Sequence, residues 1–124
     1  MEFGKNKFDV VFVSNLYHIL KGKQREELRI KINSLLKPNG LLFLSTLSVN
    51  DPEEYGKGTP CTEEPNSFEK EKFLHFCTKD ELEDDFEFLS IKKLYEHEYD
   101  EPRSNGQNHH HISWILIGQI KHIA

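Results

Sequence analysis

Residues 8–18 of this chain, FDVVFVSNLYH, decide the fold because an apolar run gives way there to small polar residues. Such a run predicts a strand buried on both faces, with side chains delivered to a cleft at its carboxyl end. We place this strand at residues 8–13. The residues that would reach the cleft come directly after it: Ser14, Asn15, Leu16, Tyr17 and His18.

The next segment predicts a helix and a second strand. From Gln24 onward, apolar residues at positions 28, 32, 35 and 36 follow the spacing of one helix face. Pro38-Asn39-Gly40 should end the helix in a turn, because proline cannot continue it and Gly40 tolerates a left-handed backbone. Residues 41–44 then predict a short strand in a central position. This order is one βαβ unit of a parallel sheet.

The second half of the chain predicts a lid, a short helix and a hairpin. Residues 49–67 are rich in acidic residues, proline and glycine, and a connection of this length without periodicity is typical of a lid. Thr78 and Glu81 form a capping-box pattern, so a helix should follow. Residues 88–99 and 109–120 predict two strands. Gly106 is a turn signal between them, and the pair should be antiparallel.

Length and composition indicate one domain and exclude some functions. The chain has 124 residues and a net charge of −5, with Lys and Arg scattered, so no basic surface for nucleic acid is expected. No apolar stretch approaches the roughly 20 residues needed to span a bilayer. The N-terminal sequence lacks a signal-peptide core. We therefore expect a cytoplasmic protein without nucleic-acid or membrane partners.

Several motifs resemble one known family. Phe8-Asp9-Val10-Val11, Asn15-Leu16-Tyr17-His18 and Leu35-Leu36-Lys37-Pro38-Asn39-Gly40 resemble strand 4, the motif at its end and the turn before strand 5 in class I S-adenosylmethionine-dependent methyltransferases. Asn39 stands where that turn has its first glycine. Thr59-Pro60-Cys61, Phe68 and Glu81-Leu82 loosely resemble its small-molecule, tellurite-resistance-like branch.

The resemblance implies an α/β fold with part of a Rossmann-like sheet. Strands 4, 5, 6 and 7 of the family would be present, with helices packed on them. The last strand would be antiparallel and inserted between strands 5 and 6.

The resemblance also implies methyl transfer from S-adenosylmethionine to a small-molecule acceptor. Ser14, Asn15 and Leu16 would contact the cofactor. His18 or Tyr17 would orient or deprotonate the acceptor, and an apolar acceptor would suit the aromatic residues Tyr55, Phe68 and Phe73. The alternative, left open, is that residues 14–18 are a polar turn that satisfies its own backbone.

The sequence departs from the family at the cofactor loop. It contains no glycine-rich loop after a first strand, and Gly56-Lys57-Gly58 follows no buried strand and opens no helix. We therefore expect residues 1–124 to form a truncated domain that binds the cofactor poorly as a lone monomer. The strand at residues 8–13 would be an exposed edge, so a homodimer or an N-terminal half should pair with it. The alternative is a non-catalytic remnant that acts as a dimerisation or partner-binding module.

His109, His110 and His111 are the other conspicuous feature. Only His109 and His111 share a face of a strand. With a third ligand from residues 96–98 they could hold a metal, but a solvated strand start is the simpler interpretation. The cysteines, Cys61 and Cys77, are not spaced as a metal pair, so we predict no metal site.

Overall fold

The computed structural model describes residues 7–102 and 106–121. In chain order the elements are β1 (Phe8–Ser14), a 3-10 turn (Tyr17–Ile19), α1 (Gly22–Leu35), β2 (Leu36–Leu47), β3 (Thr59–Pro60), β4 (Ser67–Glu69), β5 (Phe73–His75), α2 (Lys79–Asp85), β6 (Leu89–Pro102) and β7 (Asn108–Ile120).

The main sheet has the strand order β1-β2-β7-β6. β1 is parallel to β2, while β7 is antiparallel to both β2 and β6. The α/β fold and the insertion of the last strand between its neighbours are thus confirmed. The predicted hairpin is also confirmed, and Gly106 in its turn has a φ of 83°; residues 103–105 lie outside the described residues.

The Pro38-Asn39-Gly40 segment lies inside β2, so the prediction of a separate turn there is wrong. The register jumps from Phe8↔Leu36 to Val10↔Leu41, so β2 bulges here. Asn39, with a φ of 65°, adopts the left-handed backbone that was assigned to Gly40. Gly40 is needed for another reason, because a Cβ there would lie 2.8 Å from the carbonyl oxygen of Lys37.

The expectation that β1 is buried on both faces is wrong. Val13 is buried, but the side chain of Phe12 is 74% exposed and that of Val10 is 37% exposed. The physical reason is that side chains alternate along a strand: Val11 and Val13 face the core, so Val10 and Phe12 point to the opposite face of the sheet. Phe12 instead stacks on Phe43 of β2, with ring centroids 5.1 Å apart.

The helices occur where the pattern predicted them, with two differences. α1 begins at Gly22, earlier than the predicted start at Gln24, and the Gly22 N–H is 3.1 Å from both carboxylate oxygens of Glu64. In α2, Thr78 Oγ1 accepts from the N–H of Glu81 at 3.1 Å, as the capping pattern predicted. The Glu81 side chain turns toward His75 instead of completing the capping box.

Residues 49–67 contain fixed structure. β3 pairs with β4, and β4 pairs with β5, so the end of this segment belongs to a small three-stranded sheet. Asp51, at its beginning, is almost fully buried. The interpretation of this segment as a lid stays a prediction.

The hydrophobic core lies between the main sheet and the two helices. Its buried members are Val13, Tyr17, Ile32, Leu36, Leu42, Leu44, Cys77, Leu82, Phe86, Leu89, Trp114 and Leu116. Neither of the two described helices has the length and apolar character needed to cross a bilayer.

Candidate functional site

A cavity of about 610 Å³ opens at the carboxyl ends of β1 and β2 and extends over one face of the β6–β7 hairpin. Ligands bind at this edge in α/β sheets. The side chains around it are mostly polar: Asn15, His18, Ser45, Leu47, Glu54, Lys72, Leu74, His97, Tyr99, Glu101, His111, Ser113 and Ile115.

Asn15 is the predicted cofactor residue that reaches this cavity. Its backbone is left-handed, with a φ of 56°, so the chain turns sharply as it leaves β1. Its N–H donates to the carbonyl oxygen of Ser45 in β2 at 3.4 Å. Ser14 and Leu16 do not line the cavity. The structure therefore brings one of the three residues to the site.

His18 lines the same cavity and is nearly buried. Its Nδ1 lies 3.3 Å from the Thr46 hydroxyl. The pKa of His18 is lowered from 6.5 to about 4, mainly by burial and also by the Lys72 ammonium, while Asp51 opposes both effects. The ring is therefore neutral at neutral pH, so it can accept or donate a hydrogen bond but carries no positive charge.

Tyr17 belongs to the core, in contrast to its predicted catalytic position. Its hydroxyl donates to Asp85 Oδ2 and accepts from Arg29 Nη1, both at 2.7 Å. Its ring packs against Phe86, with centroids 5.5 Å apart. Burial, followed by the nearby Asp85, raises the pKa of the phenol. Because the 3-10 turn sends Tyr17 and His18 in different directions, we assign Tyr17 no catalytic role.

A buried carboxylate holds His111 at the wall of the cavity. Asp51 Oδ2 lies 3.0 Å from His111 Nδ1 and accepts from the N–H of Ile112 at 3.1 Å. Asp51 Oδ1 accepts from the N–H groups of Glu53 and Glu54 at 3.0 and 2.9 Å. A carboxylate with four such partners is an acceptor, so the proton of the neutral imidazole sits on Nδ1. In that neutral form His111 Nε2 carries the lone pair, and it lies 4.0 Å from Glu101 Oε2.

The histidine run is not the solvated strand start that the sequence favoured. His111 is buried against Asp51, and His110 pairs with Asp100 at 2.9 Å on the other face of the strand. His109 and His111 share a face as predicted, with ring centroids 6.5 Å apart. The Nδ1 atom of His111 is held by Asp51, so a metal at this run would have to use His111 Nε2, and the metal interpretation stays a prediction.

The three aromatic residues expected to bind an acceptor do not line the main cavity. Tyr55 contacts Phe68 with centroids 5.2 Å apart, and its hydroxyl donates to Asn66 at 2.7 Å. Phe73 lies apart from them, 5.9 Å from the Lys21 ammonium. The aromatic wall of the cavity comes instead from the hairpin, where His97 and Tyr99 stack 5.7 Å apart.

Several solved structures similar to this chain are S-adenosylmethionine-dependent methyltransferases. One from Methanosarcina mazei is 20% identical, with a TM-score of 0.74 over 97% of this chain and 62% of that one. The 1,6-didemethyltoxoflavin-N1-methyltransferase of Burkholderia thailandensis, with bound S-adenosylhomocysteine, is 14% identical, with a TM-score of 0.64 over 98% and 47%. TehB from Haemophilus influenzae is 10% identical, with a TM-score of 0.64 over 94% and 37%.

At these identities the likeness establishes the fold, which is that of the class I methyltransferases. No family model matches the sequence, and no curated protein matches it. The chain spans less than two thirds of the length of each of these three structures.

Proposed function

We propose that this chain is the acceptor-binding half of an S-adenosylmethionine-dependent methyltransferase that acts on a small molecule. The observation that carries this proposal is the polar cavity at the carboxyl ends of β1 and β2, on a fold shared with such enzymes. Its volume of about 610 Å³ suits a small ligand. The compartment we propose is the cytoplasm.

The residues present fit only part of the cofactor. The Asn15 amide, at the end of β1, can bind its amino-acid portion, while the sequence offers no glycine-rich loop after a buried strand to hold the adenosine. We propose that an N-terminal half or a second copy of the chain completes the site. When bound, S-adenosylmethionine would supply the methyl group.

His111 is the general base that this geometry supports best. Its Nε2 lone pair can take a proton from the molecule to be methylated. The Asp51 carboxylate, which is hydrogen-bonded to Nδ1, would stabilise the resulting imidazolium. His18, whose pKa is lowered to about 4, is a weaker base and serves instead to orient a polar group of the acceptor. Methyl transfer is an in-line displacement, so such positioning is the main demand on the protein.

A titration with S-adenosylhomocysteine tests the cofactor part of the proposal. Calorimetry on the chain, with its mass measured by light scattering, should show a micromolar Kd for S-adenosylhomocysteine when the chain is associated with a second copy or with its N-terminal half. Asn15→Asp keeps a residue that tolerates the left-handed backbone but removes the amide donor, and should weaken binding about tenfold. Asn39→Asp is the matched control, since Asn39 has a similar φ of 65° but lies in the bulge of β2.

The second candidate is a non-catalytic module that binds a partner through β1. The observation that favours it is the exposed Phe12 on that edge strand. If the associated chain binds no S-adenosylhomocysteine, or if Asn15→Asp and Asn39→Asp bind it equally well, the enzyme proposal fails and the module remains.

A further inference from the structure

Three potential metal ligands converge outside the cavity described above. His75 in β5, Cys77 just after it and Glu81 in the first turn of α2 place one ligand atom each within 4.8 Å of one another. His75 and Cys77 are buried, and the Glu81 side chain is 25% exposed. None of the three lines the main cavity. We propose that His75, Cys77 and Glu81 bind a zinc-like divalent cation that ties β5 to α2.

The hydrogen bonds of Ser67 orient the His75 ring for this role. The Ser67 hydroxyl donates to the carbonyl oxygen of Pro65 at 3.2 Å, so its oxygen accepts from His75 Nδ1–H at 2.7 Å. Metal-ligating histidines are held in this way, with one ring nitrogen hydrogen-bonded and the other presented to the metal. His75 Nε2 is therefore the ligand atom.

His75 Nε2 and Glu81 Oε2 approach so closely that a proton or a metal ion must lie between them. Glu81 Oε2 lies 2.5 Å away, and a carboxylate oxygen is an acceptor, as is the Nε2 atom of a neutral ring whose proton is on Nδ1. Two lone pairs at this distance need a positive partner, either a proton or a metal ion. The cation replaces the bridging proton and the thiol proton of Cys77, and both are released to solvent.

The geometry needs one small adjustment. Ligand atoms of tetrahedral zinc stand about 3.3–3.8 Å apart, since its bonds are about 2.0–2.3 Å long. The Glu81 carboxylate must therefore retreat by about 1 Å from His75, which its partly exposed side chain permits. A water molecule would complete the four ligands.

The backbone on either side of the thiol is fixed. The N–H of Cys77 donates to the carbonyl oxygen of Leu47 at 2.9 Å, and its own carbonyl oxygen accepts from Trp114 Nε1 at 2.8 Å. His75 is paired with Ser67 across β4 and β5. The ligands thus stand on elements that hold their spacing, which lowers the ordering cost of binding.

The surrounding charge does not oppose a cation. Glu81 and Asp85 act electrostatically on Cys77, and Arg25 and Arg29 act in the opposite direction. Arg25 is 2.8 Å from Glu64, however, and Arg29 is 3.6 Å from Asp85, so each guanidinium is paired with a carboxylate. The added positive charge of a divalent ion therefore faces a locally balanced environment, with Glu81 itself as a ligand.

Cobalt and zinc titrations of the chelator-treated, reduced chain test this site. One equivalent of Co²⁺ should produce a thiolate-to-cobalt charge-transfer band in the near ultraviolet, and Zn²⁺ should bleach it. The band should persist in Cys61→Ala and disappear in Cys77→Ala. Because His109 and His111 can bind metal without a thiolate, this band separates the proposed site from the histidine run. Absence of the band at millimolar Co²⁺, or its loss only in Cys61→Ala, would overturn the proposal.

A second variant avoids the risk that Cys77→Ala fails to fold. In Glu81→Gln the amide can still donate to His75 Nε2, so the metal-free fold is kept while the carboxylate ligand is lost. Zinc should raise the Tm of the wild-type chain and of Glu83→Gln, an exposed neighbour on α2. In Glu81→Gln the affinity for zinc should fall by about 10–100-fold. Equal zinc affinity in Glu81→Gln and Glu83→Gln would contradict the assignment of Glu81.

Discussion

Asp51 and His111, 60 residues apart in the sequence, meet at 3.0 Å in the wall of the cavity. The contact joins the start of the 49–67 segment to β7, and Asp51 makes it while almost fully buried. One carboxylate thus both folds the loop over the sheet and fixes the tautomer of a histidine that faces the cavity. The stability of the 49–67 segment and the orientation of His111 in the cavity therefore both depend on Asp51.

Replacing Asp51 by asparagine should destabilise the protein measurably. The amide keeps one acceptor oxygen, so a buried donor among the four partners of Asp51 loses its hydrogen bond. The free energy of unfolding in urea should fall by about 1–3 kcal/mol. The control is Asp100→Asn, which removes the carboxylate of the exposed Asp100–His110 pair and should leave the urea midpoint nearly unchanged. Equal effects would show that the burial of Asp51 contributes nothing.

His18 should make the fold sensitive to acid. Because burial lowers its pKa to about 4, the unfolded chain binds more protons than the native chain between pH 4 and about 6.5. Stability therefore rises with pH in this window and is lost as the pH falls through it, by about 3 kcal/mol in total.

His18→Gln isolates this effect, because glutamine can still hydrogen-bond to Thr46 and does not titrate. Urea unfolding from pH 7.5 to 4 should show the stability of the wild type approaching that of His18→Gln as the pH falls. Parallel pH profiles, or an NMR titration of His18 with a midpoint near 6.5, would contradict the burial of this ring.

The βαβ unit and the terminal hairpin could be predicted because the sequence signals behind them are local, whereas the place of β7 between β2 and β6 was implied by the resemblance to the methyltransferases. Each signal occupies a short stretch: the apolar run of β1, the helix periodicity before β2 and the hairpin at Gly106. The order of these elements along the chain allows few arrangements of one sheet. The bulge in β2 could not be predicted, because Pro38-Asn39-Gly40 is equally suited to a turn. Its register depends on how β1 pairs with the following residues.

The site was only partly predictable. Asn15 and His18 follow the apolar run of β1 and could be found on that basis, whereas Tyr17 differs from its neighbour only in the direction that a single 3-10 turn gives it. Asp51 lies in a polar segment where nothing in the local sequence marks it as buried. The His75–Cys77–Glu81 cluster was missed since its spacing crosses from a strand to a helix, and metal-pair patterns do not cover this case.

The Arg25–Glu64 pair should stabilise the fold more than an ordinary surface ion pair does. Arg25 is almost buried and also donates to the carbonyl oxygen of Leu20 at 2.7 Å. Burial alone would raise the pKa of Glu64, but the Gly22 N–H and the Arg25 guanidinium hold it below its ordinary value.

Glu64→Gln leaves the guanidinium without its counter-charge and should lower stability by about 1–3 kcal/mol, less than for a fully buried pair because Glu64 is partly exposed. Urea unfolding at neutral pH measures this. Glu63→Gln, at an exposed neighbouring position, should leave the midpoint unchanged. If both variants unfold at the same urea concentration, the pair is energetically neutral.

The exposed edge at β1 should control self-association or the docking of a partner. Phe12 is 74% exposed on a strand whose outer hydrogen-bonding groups face no other strand of the described sheet. Such an edge is a template for pairing, and burying one phenylalanine contributes about 1.5–3 kcal/mol. Phe12→Thr keeps a β-forming residue but removes the ring, so a homodimer should dissociate with a Kd raised roughly ten- to hundredfold. Light scattering at tens of micromolar measures this.

Tyr95→Thr, on β6 at the opposite edge, is the matched control, since Tyr95 is 47% exposed and should not affect pairing through β1. A wild-type chain that stays monomeric at this concentration would rule out the homodimer, and an equal effect of Tyr95→Thr would move the interface away from β1.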